Sequence, residues 1–354
     1  IRSYKMKIVN VLMFLILVFC SLKTASSKEL NIYSHRQPHL LQPFLDAYKN
    51  KTNIKLNVVY SSKGLAQRLA SEGKNTPADL VLTVDIGRLY IYKDKDLLAK
   101  INSKILNDNI PSHLRSKDGT WFGLSKRSRV IGIAKNEFSK GEVSTYEDLA
   151  NPKFKGKVCS RPGSHVYNRA LMASMIANNG YDNALVWAKG LINNLAKRPQ
   201  GNDRAQIKSI FSGECKIIII NHYYYGKLTY SDNDDHKKWA NAVKIIFPNQ
   251  SKNDRGAHIN ISGGGVVKHS KRKNESIKFL EFLVSEEAQK LYANVNYEYP
   301  INDKFERPIK LKKLGNFKED KLYIEDIAKL APKAQEIIDT VYWSSEIIKK
   351  IIDS

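Results

Sequence analysis

Between residues 29 and 84 the hydrophobic pattern switches repeatedly between two periods, and this alternation restricts the chain to an α/β architecture. ELNIYS (29–34) alternates, with Leu30 and Ile32 on one face of a strand. PHLLQPFLDAYKNK (38–51) places Leu40, Leu41, Phe44, Leu45 and Tyr48 at helical spacing, with Pro38 at its start. IKLNVVY (54–60) reads as a second strand, GLAQRLASEG (64–73) as a second helix and ADLVLTV (78–84) as a third strand. A βαβαβ order implies parallel strands covered by helices.

The pattern then continues in a second α/β set. WFGLSKRSRVIGIA (121–134) reads as one long strand, and further strands are expected at Ile245–Phe247 and Ser262–Val267. Between them lie KVCS (157–160), a helix from about Ser164, a helix across Asp182–Leu195, a helix from Asp203 and the apolar strand KIIIIN (216–221). The chain has 354 residues, 42% of them hydrophobic, which is enough for two lobes of ordinary size. The expectation is a two-lobed fold, each lobe a mixed sheet flanked by helices, with a two-strand hinge and a ligand cleft between the lobes. Residues 28–125 with 255–300 form the first lobe, 126–254 the second, and 301–354 helices packing on both. The charged fraction of 26%, without long polar tracts, excludes wholesale disorder.

Residues 1–27 read as a cleavable secretory signal. A basic start at Met6-Lys7 is followed by an apolar run from Val9 to Phe19 and by small residues at Thr24, Ala25, Ser26 and Ser27. Residues 1–5 read as upstream of Met6. Lipidation at Cys20 is the alternative, disfavoured by the large Phe19 before it. Export places the mature chain in an oxidising compartment, which favours a Cys159–Cys215 disulfide over two buried thiols. Removing Arg2, Lys5, Lys7 and Lys23 lowers the net charge from +23 to +19. Export and the scatter of the basic residues argue against nucleic acid as the partner.

Two segments carry chemistry. Asn221-His222-Tyr223-Tyr224-Tyr225-Gly226 follows the apolar strand and opens a helix, at the carboxyl end of a strand where open α/β sheets bind ligands. Phenolate is a hard oxygen donor suited to Fe³⁺, and a bound cation lowers the phenol pKa. Aromatic packing is the competing reading of a tyrosine run. CSRPGSHVYNRAL (159–171) places Tyr167 in the first turn of a helix. Cys159 precedes Tyr167 by the same eight residues as Cys215 precedes Tyr223.

Together with NIYSHRQPHLLQPF, NTPADLVLTVDIGR, YEDLANPKFKGKVC, RPQGNDRAQIKSIFSGEC, NISGGGVVKHS and FLVSEEAQKLYANVNYEYP, these segments resemble the ferric-binding proteins of bacterial iron ABC importers. The resemblance implies the type II periplasmic binding-protein fold and covers nearly all of residues 28–354. It implies that Tyr223 and Tyr224 bind iron, that Tyr167 is a third ligand, and that Tyr225 packs. It also implies delivery to an inner-membrane permease with its ATPase, by a monomer without catalytic activity. The histidine and glutamate used by many relatives are replaced by Arg36-Gln37-Pro38 and Val84-Asp85. This points to the branch with three tyrosines and a synergistic carbonate or bicarbonate. Fe³⁺ with three phenolates is neutral, so a bound carbonate needs cationic partners, for which Arg36, Arg127 and Gln37 are the candidates.

Other features have blander readings. His35, His39, His165 and His222 fall near the expected cleft, and Pro38 breaks the register between the first two, so they are assigned to the surroundings of the site or to the surface. Asn202 reads as a helix cap. Gly263-Gly264-Gly265 reads as a place where strands pass closely. Two alternatives remain open: an oxyanion-binding transport protein without metal, and an exported metalloenzyme, for which no nucleophile–base pair is found.

Overall fold

The computed structural model describes residues 29–344. The predicted signal segment 1–27, with Met6 and Cys20, lies outside the described residues, as do the last ten. Nine strands are present among the described residues: β1 (Glu29–Ser34), β2 (Lys55–Tyr60), β3 (Leu80–Thr83), β4 (Phe122–Ala134), β5 (Val158–Cys159), β6 (Ile217–Asn221), β7 (Val243–Ile246), β8 (Ile259–Val266) and β9 (Tyr299–Pro300). Every element expected before residue 84 is found, with helices at Pro38–Thr52 and Leu65–Glu72.

The strand order is β2-β1-β3-β8-β4-β6-β5, with β7 and β9 also pairing with β4. β1 lies parallel to β2 and to β3, as a βαβαβ unit requires. The parallel order stops at β3, where β8 pairs antiparallel. At the far end β5 and β6 are again parallel.

The 13-residue β4 joins the two halves. Its first part, Phe122–Ser128, pairs with β8, and β9 pairs at Ser125 and Lys126. Its second part, Arg129–Ala134, lies between β6 and β7. The partners change between Ser128 and Arg129, so one strand serves two sets of neighbours. Its hydrophobic alternation is weak because all but its last residue are buried.

The glycine run in β8 has a steric cause. A Cβ on Gly263, Gly264 or Gly265 would meet the backbone oxygens of Phe122, Val81 and Thr120 at 2.9, 2.8 and 2.7 Å. Two neighbouring strands thus press against β8 from both sides. After β9 the chain runs back over both halves. Helix Ile324–Lys329 packs on Ile86–Asp94 and on Val166–Asn179, and helix Ala331–Thr340 packs on Val166–Asn179. No helix of the described residues is long and apolar enough to cross a membrane.

Gly264→Ala is expected to destabilise the fold by about 1–3 kcal/mol, the cost of forcing a methyl group into a packed interior. A urea midpoint equal to that of the unsubstituted protein would refute the close-passage account.

Candidate functional site

Two strand-to-helix turns build one wall. From β5 the chain turns into helix Val166–Asn179, whose cap His165 accepts the Tyr167 N–H at Nδ1 (3.3 Å). From β6 it turns at Asn221 into helix His222–Thr229, with Tyr223 and Tyr224 in the first turn. Because β5 and β6 are parallel neighbours, both turns open on the same end of the sheet. Cys159 of β5 is disulfide-bonded to Cys215 just before β6, with Cα atoms 5.9 Å apart.

The phenols meet there. The Tyr223 hydroxyl donates to the Tyr167 oxygen at 3.1 Å, and Asn221 Nδ2 donates to the Tyr223 oxygen at 3.3 Å. The Tyr223 and Tyr224 rings lie 4.4 Å apart. Burial pushes the Tyr223 phenol well above its ordinary range, with Tyr167 and Tyr224 adding to the effect. Burial likewise raises Tyr224. Tyr225 turns away and donates to the Val243 carbonyl at 3.4 Å.

Arg129 fixes this wall from below. Its Nε and Nη2 donate to Asn168 Oδ1 at 3.0 and 2.6 Å, and its Nη1 donates to Asp203 Oδ2 and Asn221 Oδ1, both at 2.9 Å. Asp203 also accepts the Asn221 N–H (2.8 Å) and pairs with Arg161 (3.2 Å). The residue after Tyr167 is therefore tied through one guanidinium to the second residue before Tyr223. Burial alone would raise the Asp203 carboxyl, and Arg129 and Arg161 together outweigh it and hold the group low.

The facing wall carries the remaining predicted residues. Arg36, Gln37, Arg127, Tyr167, Tyr223 and Tyr224 all line one cavity of about 330 Å³. Gln37 is exposed at the start of helix Pro38–Thr52 and makes no capping bond. Arg127 donates from Nη2 to the Ile261 carbonyl (2.8 Å), while its buried Nε has no partner among the described residues. Arg36 is not a free cation. Its Nη2 donates to Ser262 Oγ (2.5 Å) and to Glu298 (2.9 Å), so a carboxylate the sequence reading passed over already neutralises it. Burial would raise the Glu298 carboxyl, but Arg36 and Arg127 hold it down at about 2.

The four histidines divide. His39 is exposed and outside the cavity lining. The helix that follows Pro38 turns it towards solvent. His35 lines the cavity with Nε2 2.9 Å from the Tyr92 hydroxyl, and burial, then Arg88, lowers its pKa to about 4. His165 packs against Tyr167 at 4.5 Å between ring centres. His222 is fully buried where β4 changes partners. Its Nε2 donates to the Tyr297 carbonyl (2.7 Å) and its Nδ1 accepts the Ser128 N–H (3.1 Å). A carbonyl can only accept, so these bonds fix the neutral tautomer. Among the described residues no group of three or more His, Cys, Asp or Glu is placed to hold a metal.

Arg129, Asn168 and Glu298 were missed as site residues, and Asp203 and Asn221 were read only for their place in helices and strands. Asn202 does cap its helix, accepting the Ala205 N–H.

Comparison with known proteins gives one consistent picture. The family described as bacterial extracellular solute-binding protein matches residues 44–319. Iron uptake protein A1 of Synechocystis is 40% identical over 317 residues, 89% of this chain and 88% of that protein. Among solved structures, a Trichodesmium protein (IdiA, FutA) in complex with iron and citrate superimposes with a TM-score of 0.85 at 44% identity, covering 89% of this chain and all of the other. Ferric iron-binding protein A of Mannheimia haemolytica, in an open conformation, gives 0.84 at 43% identity, covering 89% and 99%.

Arg129→Met should destabilise the chain by about 3 kcal/mol, because it leaves Asp203 buried with only Arg161 as counter-charge; chemical denaturation measures this. The Glu298 pKa is depressed in the fold, so its contribution to stability is complete above pH 4.5 and fades as pH falls towards 2. Acid unfolding of Glu298→Gln should accordingly show a shallower pH dependence over that interval. An unchanged slope would exclude the assigned pairing with Arg36.

Proposed function

The chain belongs to the ferric iron-binding branch of the bacterial extracellular solute-binding proteins, and from this membership we propose that it captures Fe³⁺ with the phenolates of Tyr167, Tyr223 and Tyr224. The observation that carries the ligand assignment is the 3.1 Å approach of the Tyr167 and Tyr223 oxygens, with the Tyr224 ring tilted against that of Tyr223, in a cationic cavity. A trivalent cation would draw these oxygens together by replacing the phenolic protons with a hard Lewis acid.

Carbonate or bicarbonate is the proposed synergistic anion. The buried, unpartnered Arg127 Nε supports this, since it is a donor beside Tyr167 that awaits an acceptor. Gln37 would add a donor from the opposite wall. Arg36 would contribute through the part of its fork that Glu298 and Ser262 leave open.

The protein is a transport component and not an enzyme. Loaded protein would present iron to a membrane permease driven by its ATPase. The first lobe, 28–125 with 255–300, would close on the second, 126–254, about the change of partners in β4. Export by cleavage after residue 27 would place the Cys159–Cys215 bond in an oxidising compartment.

The favoured reading separates cleanly from a metal-free oxyanion carrier. Iron added with bicarbonate should produce a visible phenolate-to-iron charge-transfer band and release roughly three protons per metal, since the ligands must ionise to bind. Affinity should fall steeply as pH is lowered, because protons compete for the phenolates. Tyr223→Phe should weaken iron binding by more than about 100-fold, beyond what loss of a supporting hydrogen bond costs. A colourless complex, or oxyanion binding indifferent to iron, would overturn the assignment.

A further inference from the structure

A second cavity, of about 520 Å³, lies apart from the tyrosine-lined one and is built by four helices. Ile86–Asp94 follows β3 and Val166–Asn179 follows β5, so these two stand on opposite sides of the change of partners in β4. Helix Ile324–Lys329 packs on both of them, and helix Ala331–Thr340 packs on the second. The cavity is the notch left where the four meet. Its volume falls within the range of about 300–1,000 Å³ common for small organic ligands, and joints between separately rooted elements are where such sites occur.

The lining combines hydrocarbon with uncommitted cationic donors. Ile86, Tyr90, Ile91, Val166, Ile327 and Pro332 supply the apolar part. Ile91 is exposed and Tyr90 and Val166 are half-buried, so apolar surface is left uncovered here. Arg88 and Arg169 face the cavity from its two sides. Arg169 spends one N–H on a neutral partner, the Gln335 side-chain oxygen at 3.2 Å. The Arg88 guanidinium has no hydrogen bond or ion pair with any described residue. The acids of the lining do not neutralise these two. Asp85 accepts the Arg88 backbone N–H at Oδ1 (3.0 Å) and Asn260 Nδ2 at Oδ2 (2.9 Å). Asp94 stands at the other end of the helix from Arg88, about 9 Å along its axis. Lys329, the remaining cation, is taken by Glu325 at 3.0 Å.

We propose that this cavity is a second ligand site, which takes a small aromatic carboxylate whose ring lies against Tyr90, Ile91 and Pro332 and whose carboxylate is held by Arg88 and Arg169. A carboxylate matches the guanidinium fork, and a flat ring buries apolar area against the tyrosine. A purely apolar ligand would leave both guanidinium groups without an acceptor, and a polyanion would meet Asp94. The site stands independently of the tyrosine–iron reading, since none of Tyr167, Tyr223 and Tyr224 lines it. Arg88 lines both cavities, so an anion bound here draws on a charge that also faces the tyrosines.

Titration calorimetry of the iron-free chain from residue 28 with 1-naphthoate tests this. One equivalent should bind, and the neutral analogue 1-naphthalenemethanol should bind at least about tenfold more weakly, because the charge-assisted bonds to arginine are lost. Arg169→Gln should weaken naphthoate by about tenfold for the same reason. Ala331→Trp, which fills the cavity from a half-buried position at the start of its helix, should abolish binding. Both variants should keep the circular dichroism spectrum of the unsubstituted protein. Absence of binding by the unsubstituted chain, equal affinity for the acid and the alcohol, or undiminished naphthoate binding in Ala331→Trp would overturn the proposal. Binding that appears only after removal of residues 345–354 would also overturn it, by making the chain's own end the occupant.

Discussion

The guanidinium of Arg129 is the constraint on which the rest of the site depends. It sits at the residue where β4 exchanges one set of partners for another, and its fork reaches three elements that are distant in sequence. A fully buried cation needs an anion and satisfied donors, and Asp203, Asn168 and Asn221 provide them. In meeting that requirement they fix the start of the Val166–Asn179 helix, the end of β6 and the start of the Asp203–Phe211 helix relative to one another. Tyr167, Tyr223 and Tyr224 are each within three residues of a member of this set. The separation of their phenols follows from the demands of a charge that itself never faces the cavity.

The electrostatics of the cavity are of the opposite kind to a carboxylate metal site. Among the described residues the one carboxylate that lines the cavity, Glu298, is occupied by Arg36 and two serines. Empty, such a cavity repels a free cation. Neutral phenols tolerate the surrounding arginines, whereas a cluster of carboxylates would pair with them and close the site on itself. Phenol donors therefore allow metal ligands and anion-binding cations to share one cleft without cancelling each other.

Much of the fold was legible in residue order because hydrophobic period reports burial directly. The first three strands and both intervening helices followed from spacing. The two tyrosine segments were legible for a related reason, since each follows a buried strand and opens a helix. What escaped were residues whose significance depends on partners far along the chain. Glu298 lies between two tyrosines in NYEYP, and nothing local marks it as the counter-ion of Arg36, 262 positions away. Arg129 stands in a strand with Lys126 and Arg127, and its spacing does not say which cation is enclosed and which faces a cavity.

The parallel pairing of β5 with β6 carries a kinetic implication. Under the proposed ligand set every phenol sits on one side of the hinge, so no donor has to arrive from across the gap. Cargo could settle on an unclosed molecule in a simple bimolecular encounter, and enclosure would follow as a separate unimolecular event. The pace of uptake and the lifetime of the loaded state would then be governed by different residues and could change independently of each other.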